Sequence, residues 1–204
     1  MKIIKTEYLL KVGAFPNSKE WEKSYQEVSA AIKALVWPKG SNSFKFDPSE
    51  KGKKRGEGNG VVPIKKAFCL LLNKAGWELE TKIEVAARKK PGPLDATKKI
   101  HDGRFIAIEW ETGNISSSHR ALNKMALGML RKKIVGGILV LPTREMYQYL
   151  TDRIGNYEEI EPYFDLWKSL SIEEGVLAVI AVEHDGLQAG IPRIPKGTDG
   201  RALV

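Results

Sequence analysis

The sequence predicts an α/β protein whose central mixed sheet of five to six strands is flanked by helices. Apolar residues recur every three or four positions in several segments, which is typical of helices packed against a core. Short runs rich in branched and aromatic residues lie between these segments and are typical of strands. One run, residues 134–141, is almost entirely apolar, which indicates a strand buried on both faces of a sheet.

The length and composition favour one folded domain over residues 1–204. With 42% hydrophobic and 28% charged residues, the chain can bury one sizeable core. No apolar run reaches the roughly 18–20 residues of a membrane span, and residues 1–7 do not resemble a signal peptide. A single cysteine, Cys69, excludes an intrachain disulfide, and the three histidines are not spaced like a zinc site. We therefore expect an intracellular protein without membrane association.

Two helices are predicted in the first third of the chain. The first covers about residues 17–37, and Asn17 followed by Glu20 indicates a capping box at its start. The second begins near Pro63, because proline is favoured in a first helical turn, and ends at Gly76. The apolar stripe of the first helix consists of Trp21, Tyr25, Val28, Ile32 and Leu35.

Beyond Gly76 the pattern predicts strands alternating with helices. The predicted strands cover residues 77–85, 94–97, 105–111, 134–141 and 176–182. The predicted helices cover residues 116–130, 144–150 and 158–167. Two segments rich in glycine, proline and charge are predicted to be a flexible basic loop, about 41–60, and a C-terminal tail, about 190–204.

The charge balance favours a polyanionic partner. Thirty-three Lys and Arg against 25 Asp and Glu give a net charge of +8, and such a field attracts nucleic acid. Basic residues cluster at 51–55 and 88–90, beside glycines or prolines, as expected of surface loops. Solvated surface is the alternative interpretation of either run.

Three carboxylates form a candidate metal site. Residues two apart in a strand share a face, so Glu109 and Glu111 project together while Ile108 and Trp110 project to the other side. Like charges this close repel unless they are solvated, protonated or bridged by a cation. Asp95, from the preceding strand, would complete a magnesium site. For Glu109 and Glu111 alone, a solvated polar strand face is the alternative.

The same residues carry a family resemblance. Pro93-Leu94-Asp95 and, thirteen residues later, Glu109-Trp110-Glu111 resemble the nuclease signature PD-(D/E)xK, with Glu111 in the usual lysine place. The surrounding sequence resembles the BamHI family of type II restriction endonucleases over roughly residues 20–200, and its length and pattern are similar to those of a natural isoschizomer. The matching runs are 59–65, 111–117 with His119-Arg120, 149–153, 161–164, and 194–197 with Asp199-Gly200.

The resemblance implies a restriction-endonuclease-like fold and magnesium-dependent hydrolysis of phosphodiesters, with two ions in each active site. It implies that Asp95 and Glu109 bind metal and that Glu111 orients or deprotonates the attacking water. A further catalytic acid and metal ligand is implied in the strand before the proline motif, where Glu80 aligns and Glu78 is the alternative. No covalent nucleophile is required.

Base recognition is implied for two further groups. An arginine can bind guanine while a neighbouring aspartate accepts from cytosine, so Asp152-Arg153 can read a G·C pair; a surface ion pair is the alternative. Asn114, Ser116 and Arg120 resemble the family's other major-groove contacts. For Asn114 and Ser116 the alternative is a role in the turn and helix cap.

The resemblance also implies contacts to the DNA backbone and minor groove. Lys65 would lie near the backbone at the active site, and Gly197, Asp199 and Arg201 lie where the family meets the minor groove. The chain ends at Val204, before the family's terminal helical extension, and Arg201 replaces an apolar residue. We therefore expect a free basic tail that follows the minor groove.

Taken together, the resemblance implies a homodimer that cuts double-stranded DNA at G^GATCC and leaves 5′ four-base overhangs. We expect it to act in the cytoplasm of a prokaryotic cell. A companion DNA methyltransferase would protect the host site. The dimer would form through residues 117–130 and 158–168, and Leu122, Met125 and Met129 fit either that interface or the core. The alternatives are a non-catalytic sequence-specific DNA-binding protein of the same fold and a structure-specific repair or RNA nuclease.

Overall fold

A six-stranded mixed sheet lies at the centre of the protein, as the sequence predicts. The computed structural model describes residues 1–51, 58–83, 92–151 and 154–196. The sheet consists of β1 (Lys2–Val12), β3 (Glu78–Thr81), β4 (Leu94–Lys99), β5 (Phe105–Trp110), β6 (Ile134–Pro142) and β7 (Gly175–Glu183). A separate two-stranded parallel ladder joins β2 (Lys45–Phe46) to β8 (Gly186–Leu187).

The strand order is β1-β7-β6-β5-β4-β3. The central strands β5, β6 and β7 run parallel, whereas β1 pairs with β7, and β4 with both β5 and β3, in antiparallel fashion. Every residue of β6 and β7 is buried. Helices must therefore cover both faces of the sheet, which explains why residues 134–141 are almost entirely apolar.

Helices form a layer on each side of the sheet. The first apolar cluster packs α1 (Lys19–Lys33) and α2 (Val62–Lys74) against one face. The second packs α3 (Ile115–Leu130), α5 (Tyr157–Ile160) and α6 (Phe164–Lys168) against the other. A short helix, α4 (Arg144–Tyr147), follows β6, and 3₁₀ turns cover Phe15–Asn17, Pro48–Glu50 and Glu161–Tyr163.

The start of α1 differs from the sequence prediction. The N-cap is Ser18, whose hydroxyl accepts the Trp21 N–H at 3.1 Å. Asn17 instead ends a 3₁₀ turn, and the Glu20 carboxylate contacts the ring of His101 at 2.7 Å. The predicted capping box of Asn17 and Glu20 is therefore wrong, because the preceding turn moves the helix start by one residue.

Three further helix or strand predictions change in the structure. The predicted helix 158–167 is divided into α5, a 3₁₀ turn and α6, because Pro162 lacks an N–H and lies in the first turn of the 3₁₀ segment. The predicted helix 144–150 is a single turn, α4. The edge strand β1 was not predicted.

Leu122, Met125 and Met129 are buried in the second cluster, so they belong to the core rather than to an exposed interface.

Over the part of the chain that the structure describes, no helix has both the length and the apolar character needed to cross a membrane.

Because β6 is the strand on which both layers pack, we predict that Ile138→Ala destabilises the protein strongly. Ile138 is fully buried, and truncating such a side chain typically costs about 2–5 kcal/mol of unfolding free energy. The matched control is Ile4→Ala on β1, where the side chain is 55% exposed and the expected change is below about 0.5 kcal/mol. Urea denaturation measures both values, and equal losses would contradict this assignment of the core.

Candidate active site

Asp95 lies where the pairing of β4 and β5 ends. The last paired residues are Ala96 and Ile108. One residue further, the Asp95 side chain takes the place of a backbone acceptor, because its Oδ2 accepts the Trp110 N–H at 2.8 Å. Its Oδ1 accepts from the Lys65 ammonium at 2.5 Å. Both carboxylate oxygens are therefore held in place, at a residue that is only 6% exposed.

Lys65 reaches this carboxylate from the first turns of α2. Burial alone would lower the pKa of the ammonium, but the charge and hydrogen bond of Asp95 outweigh it and raise the pKa above its usual value. The Lys65 ammonium thus remains charged at neutral pH. Lys65 therefore lies beside Asp95, and its contact with the DNA backbone stays a prediction.

Glu109 is the neighbour of Asp95 across the two strands, since each lies one residue beyond the Ala96–Ile108 pair. Burial, followed by repulsion from Asp95, raises the pKa of Glu109 to about 7. The Lys124 ammonium, 3.5 Å from Oε1, opposes this rise. The two acids therefore lie side by side in a buried setting that disfavours the ionised form of Glu109.

Glu111 lies just after β5 and is 6% exposed. Its Oε1 accepts the Gly113 N–H at 2.5 Å, and its Oε2 accepts the Ser118 hydroxyl at 2.8 Å. Burial raises the pKa of Glu111, while these hydrogen bonds act in the opposite direction. The carboxylate is thus oriented by the loop and the first turn of α3.

Glu109 and Glu111 both contact α3, as their spacing of two residues predicts. Ile108 and Trp110 pack instead in the cluster of α1 and α2. The β5 strand therefore separates an acidic edge from an apolar face.

Two residues of α3 at this site were not predicted from the sequence. Ser118 holds Glu111, and the Lys124 ammonium donates to the carbonyls of Gly92 and Pro93 at 2.7 and 2.8 Å as well as approaching Glu109. Ser118 offers a signal, because it is a polar residue on the same helical stripe as Leu122 and Met125 and must find a buried partner. No sequence signal identifies Lys124, because its partners Gly92 and Pro93 are about thirty residues away in the chain.

The choice between Glu80 and Glu78 is informed by the strand register. Leu79 pairs with Ala96 and Thr81 with Leu94, so Glu80 lies opposite Asp95, whereas Glu78 pairs with Thr97. Both glutamates are exposed, and Glu80 has a positive φ of 52°. The position opposite Asp95 favours Glu80, whose role as an additional acid stays a prediction.

The residues fit a hard divalent cation. Asp95 and Glu109 supply oxygen ligands in a buried, negative setting, and magnesium is typically held by one or two carboxylates together with water and substrate phosphate. Across residues 1–51, 58–83, 92–151 and 154–196, no three acidic, histidine or cysteine side chains converge as a complete metal cluster. Water or another oxygen ligand would complete the coordination of such a cation.

The predicted base-reading residues of α3 lie beside Glu111. Asn114 is the N-cap residue, but its exposed side chain makes no capping hydrogen bond, which disfavours the purely structural alternative. Ser116 and Arg120 are also exposed, and Arg120 contacts the Ser117 hydroxyl at 3.2 Å. These side chains are available to an external partner.

Several predicted contact residues lie outside the described part of the chain. They are Asp152, Arg153, Gly197, Asp199 and Arg201, and the basic residues Lys53, Lys54, Arg55, Arg88, Lys89 and Lys90. Gly155, which follows the first pair, is described, and its N–H donates to the Gly113 carbonyl at 2.8 Å. This hydrogen bond places Gly155 beside the loop that holds Glu111.

Comparisons with known proteins agree on one family. The family model described as restriction endonuclease BamHI matches residues 1–201. The type II restriction enzyme OkrAI of Oceanobacter kriegii is 48% identical over 203 residues, which cover 100% of both chains. The type II restriction enzyme BamHI of Bacillus amyloliquefaciens is 36% identical over 185 residues, 88% of this chain and 82% of that one.

A structural comparison supports the fold. The crystal structure of restriction endonuclease BglII complexed with a DNA 16-mer matches with a TM-score of 0.61 at 12% identity, covering 91% of this chain and 79% of that chain. The predicted α/β fold with a mixed sheet, of the restriction-endonuclease type, is therefore confirmed.

The raised pKa of Glu109 predicts that divalent-cation affinity depends on pH. A metal must displace the proton of a carboxyl whose pKa is about 7, so affinity rises about tenfold per pH unit below 7 and levels off above it. Calorimetric titration with Mg²⁺ or Ca²⁺ at pH 6, 7 and 8 measures this. Glu109→Gln is the control, expected to bind weakly with no such rise, and a pH-independent affinity in the unmodified protein would contradict the assignment.

Proposed function

The chain belongs to the BamHI family of restriction endonucleases, and on this premise we propose that it cuts double-stranded DNA at GGATCC, after the first guanine of each strand, with magnesium. The products carry 5′ four-base overhangs. That the chain is a type II restriction enzyme follows from the family and its named members. The target and the cofactor are our proposal: the buried pair of Asp95 and Glu109 supports the magnesium cofactor, and the similarity to the named relatives supports the target.

In this proposal the acids have two roles in in-line hydrolysis, which are metal binding and orientation of the attacking water. Asp95 and Glu109, with Glu80 as a further acid, would hold two magnesium ions. When bound, these ions neutralise the charge that develops on the scissile phosphate. Glu111 orients the attacking water or takes its proton. Its raised pKa and its two fixed hydrogen bonds suit this role, because a general base must be both basic and correctly aimed.

Lys65 has two tasks in the proposed mechanism. Its ammonium holds Asp95 in the free protein at 2.5 Å. It is 26% exposed, so it can also contact the DNA backbone at the active site. A lysine in this position offsets part of the repulsion between DNA phosphate and the acidic edge of β5.

Sequence recognition is assigned to two groups in the major groove. Asn114, Ser116 and Arg120 present exposed amide, hydroxyl and guanidinium groups at the start of α3, beside the catalytic strand. Asp152 and Arg153 together read a G·C pair, with the arginine on guanine O6 and N7 and the aspartate on cytosine N4. The short loop 112–114 then sets the distance between Glu111 and the base-reading residues at the start of α3.

Minor-groove contacts are assigned to the C-terminal tail. Gly197, Asp199 and Arg201 would follow the minor groove, where the negative potential attracts a basic side chain such as Arg201. The basic residues of the 51–55 run would contact phosphates. Phosphate contacts fix the register of the protein on DNA without selecting a sequence.

A palindromic target favours a two-fold dimer in which each subunit reads one half-site. On the face formed by α3 and the 161–168 segment, Tyr163 and Leu166 are 51% and 60% exposed. His119 of α3 contacts the Tyr163 ring at a centroid distance of 4.7 Å. These three side chains form a small apolar and aromatic surface, which we propose as the centre of the dimer interface.

The proposal also implies a cellular setting. An enzyme that cuts GGATCC endangers its own genome, so a companion DNA methyltransferase must modify the same site, without any need to contact the nuclease. Both proteins would act in the cytoplasm of a prokaryotic cell.

The most direct test uses a plasmid with one GGATCC site and a copy in which one base pair of the site is altered. We expect one cut in the first plasmid only, with Mg²⁺ and not with chelator. End-labelled products would carry GATC overhangs.

Other outcomes of this digestion would contradict parts of the proposal. Binding of both plasmids without cutting would favour the non-catalytic alternative. Equal cutting of both plasmids would support the proposed roles of the catalytic acids but would contradict the base-reading roles. Cutting that ignores the sequence but depends on DNA structure would favour the structure-specific nuclease.

For the dimer, we predict that Leu166→Glu gives a monomer in sedimentation at micromolar concentration, because it buries a charge without a partner at the interface. The matched control is Leu70→Glu on α2, which is similarly exposed at 58% but lies on the opposite layer and should leave the dimer intact. A wild-type chain that is monomeric with and without DNA would contradict the interface.

A further inference from the structure

Asn59 lies at the junction of three segments of the chain. The residue is 1% exposed. Its side-chain oxygen accepts the Ile194 N–H at 2.8 Å, and its side-chain nitrogen donates to the Tyr149 carbonyl at 2.8 Å. Its backbone N–H donates to the same Tyr149 carbonyl, and its carbonyl accepts the Thr151 N–H at 3.0 Å. Asn59 therefore bonds to two segments that are remote from each other in the sequence.

The neighbouring glycines bring these segments into close contact. Gly58 has a φ of +80°, and a Cβ there would lie 2.3 Å from the Leu150 carbonyl oxygen. A Cβ on Gly60 would lie 2.2 Å from the Pro195 carbonyl oxygen. The Gly60 N–H also donates to the Ile194 carbonyl at 2.9 Å. Only glycine permits this approach of three backbones.

The joined segments lead to the proposed contacts with DNA. The chain of Tyr149 and Thr151 continues directly into Asp152, and the chain of Ile194 continues towards Gly197. On the other side, Asn59 is followed by α2, which carries Lys65 to Asp95. One buried amide thus fixes the starting points of both recognition segments relative to the active site.

We propose that Asn59 is a positioning residue for sequence discrimination: it holds the 149–151 and 194–195 segments at one separation, so that the residues beyond them meet both grooves of DNA together. This inference rests on the proposed function, because it assumes that residues 152–153 and 197–201 contact DNA. Asn59 itself touches no substrate.

The amide is chemically suited to this task. It offers an acceptor to an N–H and a donor to a carbonyl, whereas a carboxylate offers only acceptors and alanine offers neither. Asn59→Ala leaves the buried Ile194 N–H without its partner. Asn59→Asp retains the bond to that N–H but places a charge beside the Tyr149 carbonyl. The two variants should therefore loosen the junction to different extents.

The test measures cleavage efficiency on GGATCC and on sites with one altered base pair. We expect Asn59→Ala to reduce the ratio of the two efficiencies about tenfold or more, within the range that one base contact commands. Asn59→Asp should give an intermediate ratio and supplies the test if the alanine variant does not fold. The matched control is Val28→Ala, fully buried in α1, which should lower Tm without removing any hydrogen bond of Asn59.

The outcomes separate this inference from the function on which it rests. A wild-type chain that cuts both sites equally overturns the proposed function. A wild-type chain that discriminates, with an unchanged ratio in both Asn59 variants, overturns the positioning role alone. An equal loss of discrimination in Val28→Ala would show that stability rather than position is responsible, and would also overturn it.

Discussion

The pairing of β4 with β5 brings two buried carboxylates side by side, and the site depends on this constraint. Their ladder ends at Ala96 and Ile108, and the next residues on the two strands are Asp95 and Glu109. Asp95 cannot turn away, because its oxygens are bound by the Trp110 N–H and the Lys65 ammonium. Burial, followed by repulsion from Asp95, raises the pKa of Glu109 to about 7. The fold therefore keeps two acids together where a bound divalent cation would stabilise their ionised forms.

The two helical layers support this region from opposite sides. From one layer, α2 supplies Lys65 to Asp95. From the other, α3 supplies Ser118 to Glu111 and Lys124 to the carbonyls that precede Asp95. The buried strands β6 and β7 provide the frame on which both layers pack. Because the exposed Asn114 and Ser116 lie at the start of α3, the helix that orients Glu111 would also present the proposed base-reading groups.

The sequence predicted the parts of this structure that have a local signal. The alternation in residues 105–111 gave the orientation of Glu109 and Glu111, and the apolar run 134–141 gave the buried strand. The strand β1 escaped prediction because register shifts between Ile3 and Lys5 and between Tyr8 and Leu10 interrupt its alternation. Lys124 escaped it because its contacts join segments about thirty residues apart. Likewise, no spacing rule reveals that Asn59 joins residues 149–151 to Ile194.

The central proposal is that Asp95 and Glu109 together would bind magnesium between neighbouring strands. Anomalous diffraction from crystals of the protein with a GGATCC duplex and Mn²⁺ tests it most directly. We expect an anomalous peak within ligand distance of both carboxylates. A peak that contacts neither, or Lys65 and Lys124 remaining the only cations beside them, would contradict the account.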